Sequence, residues 1–130
     1  MGVGVLLLTH AGIGDPLIET ARVVLGPLPL RAACVGFQPG ADPVAYAHAA
    51  ARAMRELDQG DGVLLLTDLY GSTPSNVAAE LARHGTRVRR VSGLSLPMLL
   101  RVMNYPEQAL DELALTAAGG GRNGIVLDHA

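Results

Sequence analysis

Two apolar runs of strand length end alike in this chain. Gly4-Val5-Leu6-Leu7-Leu8-Thr9 leads into His10, and Gly62-Val63-Leu64-Leu65-Leu66-Thr67 leads into Asp68. Continuous apolar runs of this length, punctuated by Gly, are the pattern of strands covered on both faces, which belong to parallel sheets. Between and after them the period changes from strand to helix. Leu17, Ile18, Ala21, Val24 and Leu25 predict a first helix, opened by Asp15 as cap with Pro16 as first helical residue and stopped by Gly26-Pro27. A short strand is predicted around Arg31 to Val35. Asp42-Pro43 then opens a second helix carrying Val44, Ala47, Ala51, Met54 and Leu57. After Asp68, Thr73 is expected to cap and Pro74 to start a helix through Val77, Ala78, Leu81 and Ala82, ending at His84-Gly85. Arg87 to Val91 reads as a fourth strand at the sheet edge, where exposed arginines discourage stray pairing. A short helix from Met98 to Met103 and another opened by Pro106, with Leu110, Leu113 and Ala117, complete the helices. Gly119-Gly120-Gly121 reads as a flexible joint before a last apolar strand, Ile125-Val126-Leu127.

Alternating strands and helices predict βαβ units, and hence a three-layer α/β/α fold with a mainly parallel, doubly wound sheet. The expected order is 2-1-3-4, with the C-terminal strand as a fifth. A joint as loose as three glycines suits a strand delivered to a second copy, a homodimer by strand exchange, about as well as an ordinary edge strand of the chain's own sheet, and the exchanged dimer is the working expectation. In this order strands one and three are neighbours at the topological switch point, and ligands bind beyond the carboxyl ends of such strands. His10 and Asp68 are both at carboxyl ends. They are therefore read as one site.

Composition narrows the chemistry. The 130 residues suit one domain, 1–130, and the apolar fraction of 49% with only 3% aromatic residues requires a core of Val, Leu, Ile and Ala. A net charge of −2 with no basic cluster offers no footprint for nucleic acid or an anionic membrane. All ten basic residues are Arg, so mechanisms that need a P-loop lysine, a Schiff-base lysine or a lysine base drop out. Cys34 is the single cysteine and is expected to be a buried, inert thiol, in keeping with a reducing cytoplasm. No signal-peptide pattern and no membrane-length apolar run is present, and a soluble cytoplasmic protein is expected.

A carboxylate bonded to one ring nitrogen of a histidine fixes its tautomer and leaves the other nitrogen's lone pair free to act as nucleophile or base. Gly71, Ser72 and Thr73, at a helix start, can supply donors for an anion on that nitrogen. Other constellations fit less of the pattern. Gly12-x-Gly14 lacks the third glycine of a dinucleotide fingerprint, where Leu17 stands. A metal site would need more ligands than one His and one Asp, and no cofactor is called for. Ser72 as the nucleophile of a Ser-His-Asp triad lacks the G-x-S-x-G elbow. His48 and His84 are read as surface or packing residues, and the three arginines 87, 89 and 90 as a solvated edge. A histidine nucleophile that receives a phosphoryl group needs no protein-held metal and no lysine.

Leu8-Thr9-His10-Ala11, the run from Thr67 to Asn76, and Ser92-Gly93-Leu94-Ser95-Leu96-Pro97-Met98-Leu99 together resemble the mannose-family EIIA component of the bacterial phosphoenolpyruvate-dependent sugar phosphotransferase system. The resemblance runs from Gly4 to the last strand. It implies a phosphotransferase acting through a phosphohistidine: His10 takes a phosphoryl group on Nε2 from the small carrier HPr and passes it to a IIB component, with Asp68 on Nδ1 and Gly71, Ser72 and Thr73 lining the phosphoryl pocket. It also implies the strand-exchanged dimer. Ala11 stands where the family commonly has Gly, Ser72 where a second Gly is common, and Tyr70 for a frequent Trp. Two related roles share the histidine strand: the EIIA-like domain of a dihydroxyacetone kinase phosphotransfer chain, and a regulatory phosphoprotein without a transporter.

Overall fold

The computed structural model describes residues 2–129. Four parallel strands, β1 (Gly4–His10), β2 (Ala32–Phe37), β3 (Val63–Thr67) and β4 (Val88–Ser92), form one sheet in the order β2-β1-β3-β4. Five helices cover it: α1 (Gly14–Leu25), α2 (Pro43–Leu57), α3 (Thr73–Leu81), α4 (Leu96–Met103) and α5 (Leu110–Asn123). The all-apolar central strands have the physical cause expected of them, because alternate side chains feed two separate cores. Val3, Val5, Leu7, Leu64 and Leu66 pack with residues of α1, α4 and α5, including Ile18, Leu99, Val102 and Leu113. Leu6, Leu8, Val63 and Leu65 pack with α2 and α3 through Tyr46, Ala50, Met54, Val77 and Leu81. The molecule is thus the three-layer α/β/α sandwich that the alternation of elements predicts.

The ends of the helices differ from expectation in instructive ways. α1 starts at Gly14, one residue before Asp15, and no neighbouring side chain caps it. The hydroxyl of Thr9, at the end of β1, takes the Gly14 N–H instead, at 3.1 Å. Ser72 rather than Thr73 caps α3, accepting from the Ser75 N–H, and the helix closes at Leu81, three residues before His84. Ser95 caps α4 in the same way, so that helix begins at Leu96. Pro106 sits in a turn closed by Gln108 N–H to the Tyr105 carbonyl, and α5 starts only at Leu110.

The C-terminal expectations are corrected more deeply. Gly119, Gly120 and Gly121 are helical, within α5, and not a joint. The missing side chains of Gly120 and Gly121 are what lets α5 lie against α4: a Cβ on Gly120 would sit 2.6 Å from the Arg101 Cβ, and one on Gly121 would sit 2.9 Å from the Met98 Cε, whereas one on Gly119 would meet nothing within 4 Å. Close backbone approach, rather than looseness, is the use of glycine here. Ile125, Val126 and Leu127 form no strand with this chain's own sheet and are 84%, 73% and 82% exposed. β4 is the sheet edge, as its arginines suggest, but Arg87 and Arg89 reach Asp111 at the start of α5, at 3.7 and 2.9 Å.

Candidate functional site

The site is built where β1 and β3 stop. These strands pair directly, with Leu8 opposite Thr67, so the residues that follow emerge side by side at the carboxyl edge. On the other flank His10 is level with Phe37 of β2, and the Ala11 N–H donates to the Phe37 carbonyl at 3.1 Å. A loop of three residues then returns the chain into α1, turning at Gly12, whose φ of +84° suits glycine. The loop after β3 holds Asp68 to Gly71 and delivers the chain into α3 through Gly71, at φ +86°.

His10 and Asp68 are brought together. The Nδ1 of His10 lies 2.8 Å from Asp68 Oδ2, and the same oxygen accepts the His10 backbone N–H at 3.1 Å. The carboxylate side chain is 10% exposed and the imidazole 44%, so a nearly buried acid holds a ring that faces outward. Asp68 Oδ1 is buried and meets no donor among the described residues, so His10, through its ring and its N–H, supplies the hydrogen bonds this carboxylate has. With Nδ1–H donated to Asp68, Nε2 carries the free lone pair.

The start of α3 is partly committed to its own structure. The Gly71 N–H donates to Ser75 Oγ at 3.2 Å, and the Ser72 hydroxyl donates to the Leu69 carbonyl at 2.6 Å while capping Ser75. Thr73 is the first helical residue, and among the described residues neither its N–H nor its hydroxyl has a hydrogen-bond partner. By strand alternation the His10 side chain leaves β1 on the face shared with Leu6 and Leu8, the face that α2 and α3 cover. Leu69 and Tyr70 are exposed beside Asp68, as is Ile13 beside His10 on the other loop. His48 and His84 make no hydrogen bond to His10 or Asp68; they line a groove of about 770 Å³ between α2 and α3 that Thr73 also lines. Among the described residues no three His, Cys, Asp or Glu side chains converge as a metal set.

Two features of this edge escaped the sequence reading. The Thr67 hydroxyl pairs with that of Ser92 at 2.7 Å, and the Leu94 N–H donates to the Thr67 carbonyl, which anchors the Ser92-to-Leu96 loop to the end of β3. Thr9, completely buried, joins His10 to α1. The available signal was the identical threonine at the end of both apolar runs, a polar residue where burial is greatest.

Comparison with known proteins follows the same outline. The family described as PTS system fructose IIA component matches residues 4–117. The PTS system mannose-specific EIIAB component of Escherichia coli strain K12 is 26% identical over 127 residues, covering 96% of this chain and 39% of that protein. The PTS system fructose-specific EIIA component of Bacillus subtilis strain 168 is 35% identical over 63 residues, 48% of this chain and 43% of that one. The chain therefore spans about two fifths of the length of the Escherichia coli relative, and the match to the Bacillus subtilis one covers less than half of either protein. Among solved structures, the mannose/sorbose specific IIA subunit of the phosphotransferase system from Enterococcus faecalis superposes with a TM-score of 0.90 at 25% identity, over 100% of this chain and 97% of that one. The phosphotransferase system component EIIA from Streptococcus agalactiae shares the fold, with a TM-score of 0.84 at 23% identity over 96% of each chain. With four-fifths and more of its length inside the matched region and its whole length superposing on a solved IIA subunit, the chain belongs to the IIA component family of the sugar phosphotransferase system.

Proposed function

We propose that the protein is a cytoplasmic phosphocarrier in which His10 Nε2 accepts a phosphoryl group from the phosphohistidine of HPr and passes it to a IIB component for sugar uptake. The observation that carries this is the 2.8 Å contact between His10 Nδ1 and a nearly buried Asp68, on a ring that is otherwise exposed. The lone pair of Nε2 attacks phosphorus, the P–N bond to the donor histidine breaks, and that histidine leaves as a neutral imidazole. The proton on Nδ1 stays in place throughout, and the positive charge gained by the phosphorylated ring falls beside the carboxylate. Thr73 supplies the uncommitted donors at the start of α3, where the helix dipole also favours an anion. Gly71 and Ser72 shape that turn. Exposed Ile13, Leu69 and Tyr70 offer apolar surface to the carrier proteins.

Incubation with enzyme I, HPr and labelled phosphoenolpyruvate tests this. Label is expected on the parent protein, stable to alkali and labile to acid, and absent from a His10→Ala variant that keeps its fold. Label retained in that variant, or found on His48, His84 or His129, names another nucleophile. The same family membership, an exposed apolar tail and a sheet edge at β4 with no strand paired to it among the described residues support a homodimer in which Ile125 to Leu127 pairs with the partner's β4. Light scattering should give a dimer for the full chain and a monomer for one ending at Asn123. A monomeric full chain at micromolar concentration excludes the exchange.

A further inference from the structure

Thr9 has no part in the transfer described above, yet its side chain is tied to the residue that does. The hydroxyl is wholly buried, donates to the His10 carbonyl at 2.8 Å and accepts the Gly14 N–H at 3.1 Å. Cys34 Sγ lies 3.8 Å away on its other side. A hydroxyl has a single proton, so donating it to His10 leaves the oxygen to accept from the Gly14 N–H and makes the Cys34 thiol the donor in the contact between them. The β-branched side chain has few rotamers to leave for. His10 is consequently gripped at both ends of its own backbone, with its N–H on Asp68 and its C=O on Thr9, while its ring is gripped by Asp68 alone.

We infer that Thr9 is a positioning residue for phosphoryl transfer: through the His10 carbonyl it holds the backbone from which the imidazole reaches Asp68, and so keeps the proton on Nδ1 and the lone pair on Nε2. The inference rests on His10 being the phosphoryl acceptor. It also gives the Gly12-x-Gly14 pair a purpose that owes nothing to dinucleotides. Gly12 makes the turn, and Gly14 brings the first N–H of α1 down onto the Thr9 hydroxyl, a position where any Cβ would collide with Cys34 Sγ. A three-residue loop clamped to a buried hydroxyl at both ends has little freedom to let the ring rotate away.

Two variants separate position from packing. Thr9→Val keeps the shape and removes the hydroxyl; Thr9→Ser keeps the hydroxyl. With phospho-HPr as donor, kcat is expected to fall about tenfold in the valine variant with KM changed by less than about twofold, and to return to within about threefold of the parent in the serine variant. In the unphosphorylated proteins, ¹⁵N spectra of the His10 ring should show the Nδ1–H tautomer dominant in the parent and in Thr9→Ser, and a mixture in Thr9→Val. An unchanged tautomer and kcat in Thr9→Val, or a serine variant as slow as the valine one, overturns the inference. If the parent takes no label at all, the phosphocarrier role fails, while the tautomer comparison still decides what Thr9 does. Should the valine variant not fold, the parent's Thr9 hydroxyl proton decides: slow exchange with solvent is expected, and exchange at the bulk rate overturns the inference.

Discussion

The carboxyl ends of β1 and β3 carry nearly the same residues, Leu-Leu-Leu-Thr and then a titratable side chain, and the fold uses them differently. The cause is a register offset. Leu6 is opposite Leu65 and Leu8 opposite Thr67, one step away from the pairing that would set the two threonines side by side. A one-residue slip turns side chains to the other face, so Thr9 looks toward α1 and Thr67 toward the layer of α2 and α3. Each hydroxyl then ties down a different loop, Thr9 the one after His10 and Thr67 the one after Ser92. The same slip leaves Asp68 level with Thr9, a step short of His10. From there one carboxylate oxygen meets both the N–H and the Nδ1 of His10. A repeat in sequence becomes a division of labour in space because pairing, not similarity, sets which way a residue faces.

The largest effect is expected from changing the carboxylate that joins the two ends. Asp68→Asn keeps the size of the side chain but can turn a donor toward Nδ1, which favours the tautomer with its proton on Nε2 and removes the nucleophile. Transfer from phospho-HPr should slow on the order of a hundredfold without vanishing, since an asparagine turned the other way still accepts from Nδ1–H. Stability should change little by comparison, and the rate from rapid-quench labelling is the quantity to follow. A variant that transfers at the parent rate would mean that the 2.8 Å contact is structural only.

The next largest effect is expected at Gly14, on the β1 side alone. A methyl group there meets the Cys34 sulfur and comes within 3.0 Å of Thr9 Oγ1. Gly14→Ala should cost about 1–3 kcal/mol by overpacking, read from urea unfolding. Adding Cys34→Ala should recover a good part of that, because the two changes share one volume and should not be additive. At Gly71, the turn glycine on the β3 side, a Cβ meets nothing within 4 Å, so the cost of Gly71→Ala should come from its φ of +86° and be indifferent to Cys34.

How much of this could be read from the sequence follows from which interactions are local. The sheet order and the His10 and Asp68 pair were legible because buried strands announce themselves as unbroken apolar runs and because carboxyl ends of neighbouring parallel strands share an edge. Gly120 and Gly121 were misread because composition cannot distinguish a glycine that is loose from one pressed against Arg101 or Met98; the difference lies in α4, some twenty residues earlier. The cap of α1 was misplaced for a related reason. Asp15 has the right local chemistry, but the donor of Gly14 is met by Thr9, brought there by the strand and its return loop. The Thr67 and Ser92 pair is likewise a product of β3 and β4 lying in register.

The smallest expected effect separates the outer partners of the two threonines. Thr67 meets a hydroxyl, whereas Thr9 meets the Cys34 thiol, which burial pushes up from 9.0 to about 11, partly opposed by the contact with Thr9 itself. A raised thiol value means that the folded chain holds this proton more tightly than the unfolded chain does. The stability it contributes is therefore intact below pH 9 and is lost as the pH rises from about 9 to about 11, where the unfolded thiol ionises and the folded one does not. Tyr46, whose buried phenol is also raised and donates to the Val35 carbonyl, adds its own alkaline loss above its ordinary value of 10.0, so the absolute slope is not diagnostic. The difference between the parent and Cys34→Ala is. Urea midpoints measured at pH 8, 9, 10 and 11 should converge for the two proteins as the pH rises, the parent giving up the thiol's share while the alanine variant has none to lose. Midpoints that stay a constant distance apart across that range would place the Cys34 thiol in contact with solvent in the folded protein, and would remove it from the clamp beneath His10.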